Sequence, residues 1–150
     1  MIKKLLFTIL FTLVLSGGAS AESVIGKKLL CKNVLNDVEY GIHINRPKTL
    51  LRYSSPGFYE GITEKELKKV NISKFEYNPS PKTIFFWKPY TGSTMFGLDR
   101  GNLEIEIENA DRSTKLIGQC QIMENSFNIK YYFQEKTDQQ FKEIIENRKL

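Results

Sequence analysis

The stretch from Asn102 to Ile122 restricts the fold more than any other. It opens Asn-Leu-Glu-Ile-Glu-Ile-Glu, continues through Asn109 to Ser113, and resumes as Thr-Lys-Leu-Ile-Gly-Gln-Cys-Gln-Ile. Leu103, Ile105 and Ile107 alternate with Glu104, Glu106 and Glu108, so an extended chain places the apolar set on one face and the acids on the other. The second run sets Leu116, Gly118, Cys120 and Ile122 on a single face. Two such runs around a five-residue polar turn predict an antiparallel hairpin, with Cys120 on its inward side.

The chain has two cysteines, and the other, Cys31, lies near its start. What they do depends on the compartment. Lys3 and Lys4 precede an apolar run from Leu5 to Leu15, which ends in Ser-Gly-Gly and the small triplet Ala19-Ser20-Ala21. This order predicts a secretory signal peptide over residues 1–21, cleaved after Ala21. The apolar run is shorter than the roughly 20 residues that span a bilayer. The expected mature chain is 22–150, periplasmic or secreted, with no transmembrane segment after cleavage. An even number of cysteines in an oxidising compartment makes Cys31 to Cys120 the obvious disulfide, with two buried thiols as the alternative. Cysteines this far apart in sequence lack the close spacing of a zinc site.

Removing Lys3 and Lys4 from 22 basic residues leaves 20 against 17 acids, a net charge of +3. With acids spread along the chain, that balance gives no clustered basic face and argues against a nucleic-acid partner. The mature length suits one domain with a single core.

Further strands are expected along the chain. Lys28 to Asn33 gives a first strand, and Asn36-Asp37 a turn. Val38, Tyr40, Ile42 and Ile44 then point one way, with Glu39, Gly41, His43 and Asn45 the other; a third strand starts at Thr49, Leu51 and Tyr53. Thr63-Glu64-Lys65-Glu66 matches a capping box ahead of a short helix. Ile72 to Tyr77 returns to strand character. Thr83 to Trp87, apolar on both faces, reads as a central strand. Phe127, Ile129, Tyr131 and Phe133 fit a strand or a helix equally well. Thr137-Asp138-Gln139-Gln140 is a second capping box, which predicts a terminal helix from Asp138 to about Arg148. The fold expected is mainly β: a curved antiparallel sheet or small barrel of six to eight strands, with the short helix and a C-terminal helix across an open end or edge. A two-sheet sandwich is the alternative.

No catalytic constellation stands out. His43 is the only histidine, and the sequence nominates no nucleophile or orienting acid for it. Glu104, Glu106 and Glu108 would stand about 7 Å apart along a strand. They read as a solvated face opposite Lys115, or as paired acids flanking a glycosidic bond. Aromatic loops offer the better candidate. Phe58 and Tyr59 sit in an irregular segment, and Tyr90, Thr91 and Ser93 sit in Lys88 to Gly97, the longest stretch without a period.

Lys-Lys-Leu-Leu-Cys-Lys at 27–32, Tyr40-Gly41-Ile42, Leu98-Asp99-Arg100 leading into Leu103-Glu104-Ile105, and Gln119-Cys120-Gln121 resemble a set of small secreted proteins of marine bacteria that has no assigned function. The resemblance implies an exported, disulfide-closed antiparallel domain with a helical tail, and no activity. A second, looser likeness is to periplasmic inhibitors of animal-type lysozyme, which are small barrels with one disulfide. Those inhibitors enter the enzyme's cleft with a loop rich in serine and glycine, from which Tyr90-Thr91-Gly92-Ser93-Thr94 departs, so the likeness assigns no inhibitory residue.

The expectation carried forward is a non-enzymatic binding module without cofactor or metal, recognising a protein or envelope component through its aromatic loops. The alternatives are a small barrel carrying an apolar ligand, and a lysozyme-inhibitor-like protein.

Overall fold

The computed structural model describes residues 23–89, 94–109 and 111–148. The strands are β1 (Lys28–Asn33), β2 (Glu39–Arg46), β3 (Thr49–Ser54), β4 (Asn71–Pro79), β5 (Thr83–Trp87), β6 (Met95–Asp99), β7 (Glu104–Glu108) and β8 (Thr114–Met123). Each pairs antiparallel with the next, and β8 returns to β1, closing an eight-stranded barrel. Every strand therefore has two neighbours, which excludes the sandwich and leaves no exposed sheet edge. A short helix α1 (Glu64–Leu67) lies between β3 and β4, and a long helix α2 (Ile129–Arg148) follows β8.

Alternation along the strands fills the barrel. Tyr40, Ile42 and Ile44 of β2 point inward, together with Phe75 and Tyr77 of β4 and Ile84 and Phe86 of β5. The rings of Phe86 and Phe96 stack at 5.1 Å, and Phe75 meets Phe86 edge-on at 5.8 Å. Eight strands enclose a space that side chains can fill, and here aromatic rings occupy its middle. The outer wall carries Lys74, Glu76, Glu104 and Glu106 on the faces opposite the core residues. A lipid-facing barrel has the opposite arrangement, apolar outside and polar within. Among the described residues no helix is long and apolar enough to cross a membrane.

Cys31 and Cys120 are bonded to each other and stand directly opposite in the β1–β8 register, with Cα atoms 4.0 Å apart. The bridge thus fastens the seam where the barrel's first and last strands meet.

The hairpin of β7 and β8 forms as its period predicts, with one correction. Ile105 pairs with Gly118 but Glu106 pairs with Leu116, so Ile117 is an extra residue in β8. A bulge of this kind shifts the alternation by one position. Leu116 consequently lies beside Glu106 on the outer wall, 38% exposed, and does not share the inward face of Gly118 and Cys120. Lys115 pairs with Ile107, so it does not face the glutamates. Val38 also departs from expectation: β2 starts one residue later and Val38 is exposed.

The helix α2 begins nine residues earlier than Thr137-Asp138-Gln139-Gln140 suggests. Asn128 is its cap, with Oδ1 accepting the Tyr131 N–H at 3.0 Å. Thr137 is fully buried within the helix, and its hydroxyl donates to the Phe133 carbonyl one turn back at 2.7 Å. Ile129, Phe133 and Thr137 form a stripe at spacing four, laid along the outer wall of β2 and β3. That wall is bare at Gly41. A Cβ there would stand 2.6 Å from Ile129 Cγ1 and 2.8 Å from Phe133 Cε2, so the glycine is what lets the helix approach. Tyr53 and Val70 complete this second apolar cluster. The helix therefore covers a side wall, where an open end or edge was expected, because the closed ladder offers no edge and Gly41 provides the depression.

Polar contacts fix the helix along its length. The Glu39 carboxylate accepts from Lys136 Nζ and from the Tyr132 hydroxyl at 2.8 Å. The Lys136 hydrogen bond holds the Glu39 carboxyl below its ordinary pKa, against a smaller opposing effect of burial. Past the end of β3, Gln140 Nε2 donates to the Pro56 carbonyl at 3.2 Å, and the Lys68 ammonium lies 4.4 Å from the Phe141 ring centre.

Candidate binding surface

In an up-and-down barrel the connections alternate between two ends. The β1–β2, β3–β4, β5–β6 and β7–β8 connections lie at one end, called here the loop end. The start of β1, the close of β8 and the remaining turns lie at the other, the terminal end.

Phe58 and Tyr59 are in the β3–β4 connection at the loop end. Their local shape follows from the residues after them. The Ile62 N–H donates to the Tyr59 carbonyl at 3.2 Å, and Gly61 takes φ +87°, a value glycine adopts without steric cost. Thr63 then caps α1 as the sequence predicts: Glu66 Oε2 accepts the Thr63 N–H at 2.9 Å and Thr63 Oγ1 accepts the Glu66 N–H at 3.3 Å. Leu67, buried at the end of that helix, ties the segment to the fold. A glycine turn and a capped helix thus hold up two rings that remain 59% and 57% exposed. The Arg148 guanidinium at the end of α2 lies 5.4 Å from the centre of the Phe58 ring.

Tyr90, Thr91 and Ser93 lie outside the described residues. Pro89, which follows β5, and Thr94, which precedes β6, are at the same end as Phe58 and Tyr59.

The structure adds two residues that the sequence reading passed over. Val34 and Leu35, in the β1–β2 connection, are 44% and 66% exposed at this same end. They are held in place, since the Leu35 N–H donates to Asn33 Oδ1 at 2.8 Å and the Val34 N–H to the Ile117 carbonyl at 3.1 Å. Their signal was two branched apolar residues inside a polar turn.

The acidic set is elsewhere. Glu104, Glu106 and Glu108 border a shallow trough of about 280 Å³ on the side wall. Gly97 forms its floor, and the Phe85 ring lies across that glycine, 3.7 Å from where a Cβ would stand. Thr83 to Trp87 is thus apolar on both faces because Phe85 covers the outer wall while Ile84 and Phe86 enter the core; in a closed barrel no strand is central. Asn102 Nδ2 donates to Glu104 at 2.7 Å, and Glu106 and Glu108 have no ion-pair partner among the described residues.

His43 is on the outer face of β2, and burial, aided by the Lys28 charge, lowers its pKa. It makes no side-chain hydrogen bond among the described residues, where no cluster of metal-binding side chains occurs either. The loop end offers exposed aromatic and branched apolar surface, an arrangement suited to contact.

Comparisons with protein-family models, curated proteins and solved structures returned no match.

Proposed function

We propose that the protein is an exported, non-enzymatic binding module that recognises a protein or envelope component with the loop end of its barrel. The observation that carries this reading is the pair Phe58 and Tyr59, more than half exposed yet followed at once by a glycine turn and a capped helix. Exposed aromatic rings on an ordered segment present apolar area at little entropic cost, and Tyr is enriched where proteins meet. Val34 and Leu35 extend the apolar character of that end. The signal-like N-terminus and the disulfide support an oxidising location outside the cytoplasm.

The ligand-carrying alternative draws no support from the interior, whose middle is filled by Phe75, Phe86 and Phe96. A lysozyme-inhibitor-like role would be one form of protein recognition by the same end, and an activity assay of animal-type lysozyme with added protein decides it directly.

The test is the joint replacement of Phe58, Tyr59 and Tyr90 by alanine, followed by chemical crosslinking in the exported fraction. Loss of the adducts formed by the wild type, with the thermal transition unchanged, is the expected result. Adducts retained at full yield would remove the aromatic loops from recognition.

A further inference from the structure

The inner wall of the barrel carries charge at the loop end. Along β3, Leu50 enters the core while Leu51 and Tyr53 pack on the outer wall beneath α2, so Arg52 points inward with Leu50. The strand ends two residues later at the loop end, which places Arg52 just inside that mouth, where it remains exposed. Its guanidinium lies over the ring of Tyr40, 4.7 Å from the centre. Tyr40 is buried, and its hydroxyl rests against the backbone of Gly118 in β8, where a Cβ would collide with it. The ring thus forms a fixed floor from β2 toward β8, and the guanidinium rests on it.

Among the described residues nothing balances this charge. Arg52 forms no hydrogen bond or ion pair, and the ring holds it in place without offering an acceptor oxygen. Ser73 stands opposite Arg52 in the β3–β4 register, on the inward face of Phe75, and its half-buried hydroxyl is likewise unpartnered. Lys115 shares the inward face of Ile107, its β7 partner, and it too makes no ion pair. Acids at this end are engaged elsewhere: Asp37 with Lys32 at 3.1 Å, Asp111 with the Ser113 N–H at 2.9 Å, and Glu66 in the α1 cap. Glu60 and Glu64, in the β3–β4 connection, pair with neither cation.

An arginine fork meets a carboxylate through two parallel hydrogen bonds. Arginine and tyrosine enclosed by apolar contacts are also the commonest centre of a protein interface. We propose that the loop-end mouth receives an acidic side chain of a partner protein. Its carboxylate lies on Arg52, with Ser73 Oγ as the adjoining donor and Lys115 as a second positive charge, while Phe58 and Tyr59 cover apolar surface around it. The site belongs to the loop end already proposed for recognition and depends on that reading; the partner it specifies is a protein with an aspartate or glutamate set in apolar surface.

The probe is the peptide acetyl-Leu-Glu-Leu-amide, titrated into the intact mature protein and followed by NMR of the Arg52 side-chain N–H and the Tyr40 ring. Saturable shifts at both are expected, with the Leu-Gln-Leu peptide about tenfold weaker. Arg52→Gln should lower the affinity by about tenfold while the remaining spectrum is unchanged, and Arg52→Lys should recover part of the loss. Absence of saturation by about 10 mM of the acidic peptide would overturn the proposal. So would equal affinity for the two peptides, a comparison on the wild type that needs no variant to fold. In the exported fraction, Arg52→Gln should also lower the yield of crosslinked adducts. Adducts that survive Arg52→Gln but not the joint alanine replacement would keep the loop end and overturn the acidic side chain; adducts that survive both would overturn both.

Discussion

Reduction of the seam disulfide should cost the fold a predictable amount. Cys31 and Cys120 are separated by 89 positions and join the first strand to the last, so the bridge closes a loop around nearly the whole barrel. In the chain-entropy treatment a loop of this length removes enough freedom from the unfolded chain to stabilise the fold by about 4.6 kcal/mol. A domain of this size loses roughly 1.5 to 2 kcal/mol of stability per molar urea. The unfolding midpoint should therefore fall by about 2 to 3 M on reduction. Equilibrium urea unfolding with and without dithiothreitol measures it, monitored by circular dichroism and by the fluorescence of Trp87, the only tryptophan. The reduced wild type is the fair comparison because both sulfurs still fill the interior. Cys31→Ala with Cys120→Ala should lose somewhat more, since it also leaves a small cavity. A midpoint shift under about 0.5 M at unchanged slope would refute the reasoning, showing that the unfolded chain gains little freedom when the bridge opens.

Three further outcomes are expected. Phe133→Ala, at a position with no exposure, should destabilise by about 3 to 5 kcal/mol, read as a lowered urea midpoint and early loss of helical signal. Gly41→Ala should cost about 1 to 3 kcal/mol by forcing Ile129 and Phe133 away from the wall. Combining it with Ile129→Ala should recover part of that cost in a double-mutant cycle, whereas strict additivity would show that the two residues do not meet. For Glu39, the folded pKa lies below the ordinary 4.5, so its stabilisation is complete above that value and is lost as pH falls through the folded value. Glu39→Gln should therefore be less stable than wild type at pH 7 by about 0.5 to 1 kcal/mol, a small figure because Lys136 is 41% exposed, and the difference should vanish once the pH lies below the folded value.

The strands were legible because one face of each is buried, and burial on one side imposes period two. Ile105 and Ile107 announce β7 for that reason, and Lys28 to Asn33 announces β1; Leu103, expected on the same strand face, instead takes φ +60° in the turn before β7. The bulge at Ile117 was not legible, since an extra residue leaves local composition unchanged and is visible only in the pairing of two strands. It is also why Leu116 and Lys115 were given the wrong neighbours.

The helix illustrates the same limit. Thr137 carries the residue pattern of a cap, but the turn before it is helical because Ile129 and Phe133 rest on the bare backbone of Gly41, nearly ninety positions earlier. Nothing local distinguishes a capping threonine from one that bonds back to the preceding turn. The candidate surface was partly readable, since Phe58 and Tyr59 stand in a segment without period and next to turn residues. Their arrival at one end with Val34 and Leu35 depended on the number of strands and the closure of the barrel. Neither is encoded in any single stretch.

A photocrosslinking amino acid placed at Tyr59 tests the central claim most directly, with the same probe at Phe85 as its control. Phe85 is an exposed aromatic on the side wall, away from both ends. In the exporting cell the account predicts a discrete higher-mass adduct from position 59, lost when Phe58 is also replaced by alanine, and none from position 85. An adduct from position 85 with none from position 59 would contradict it, moving recognition from the loop end to the acidic wall.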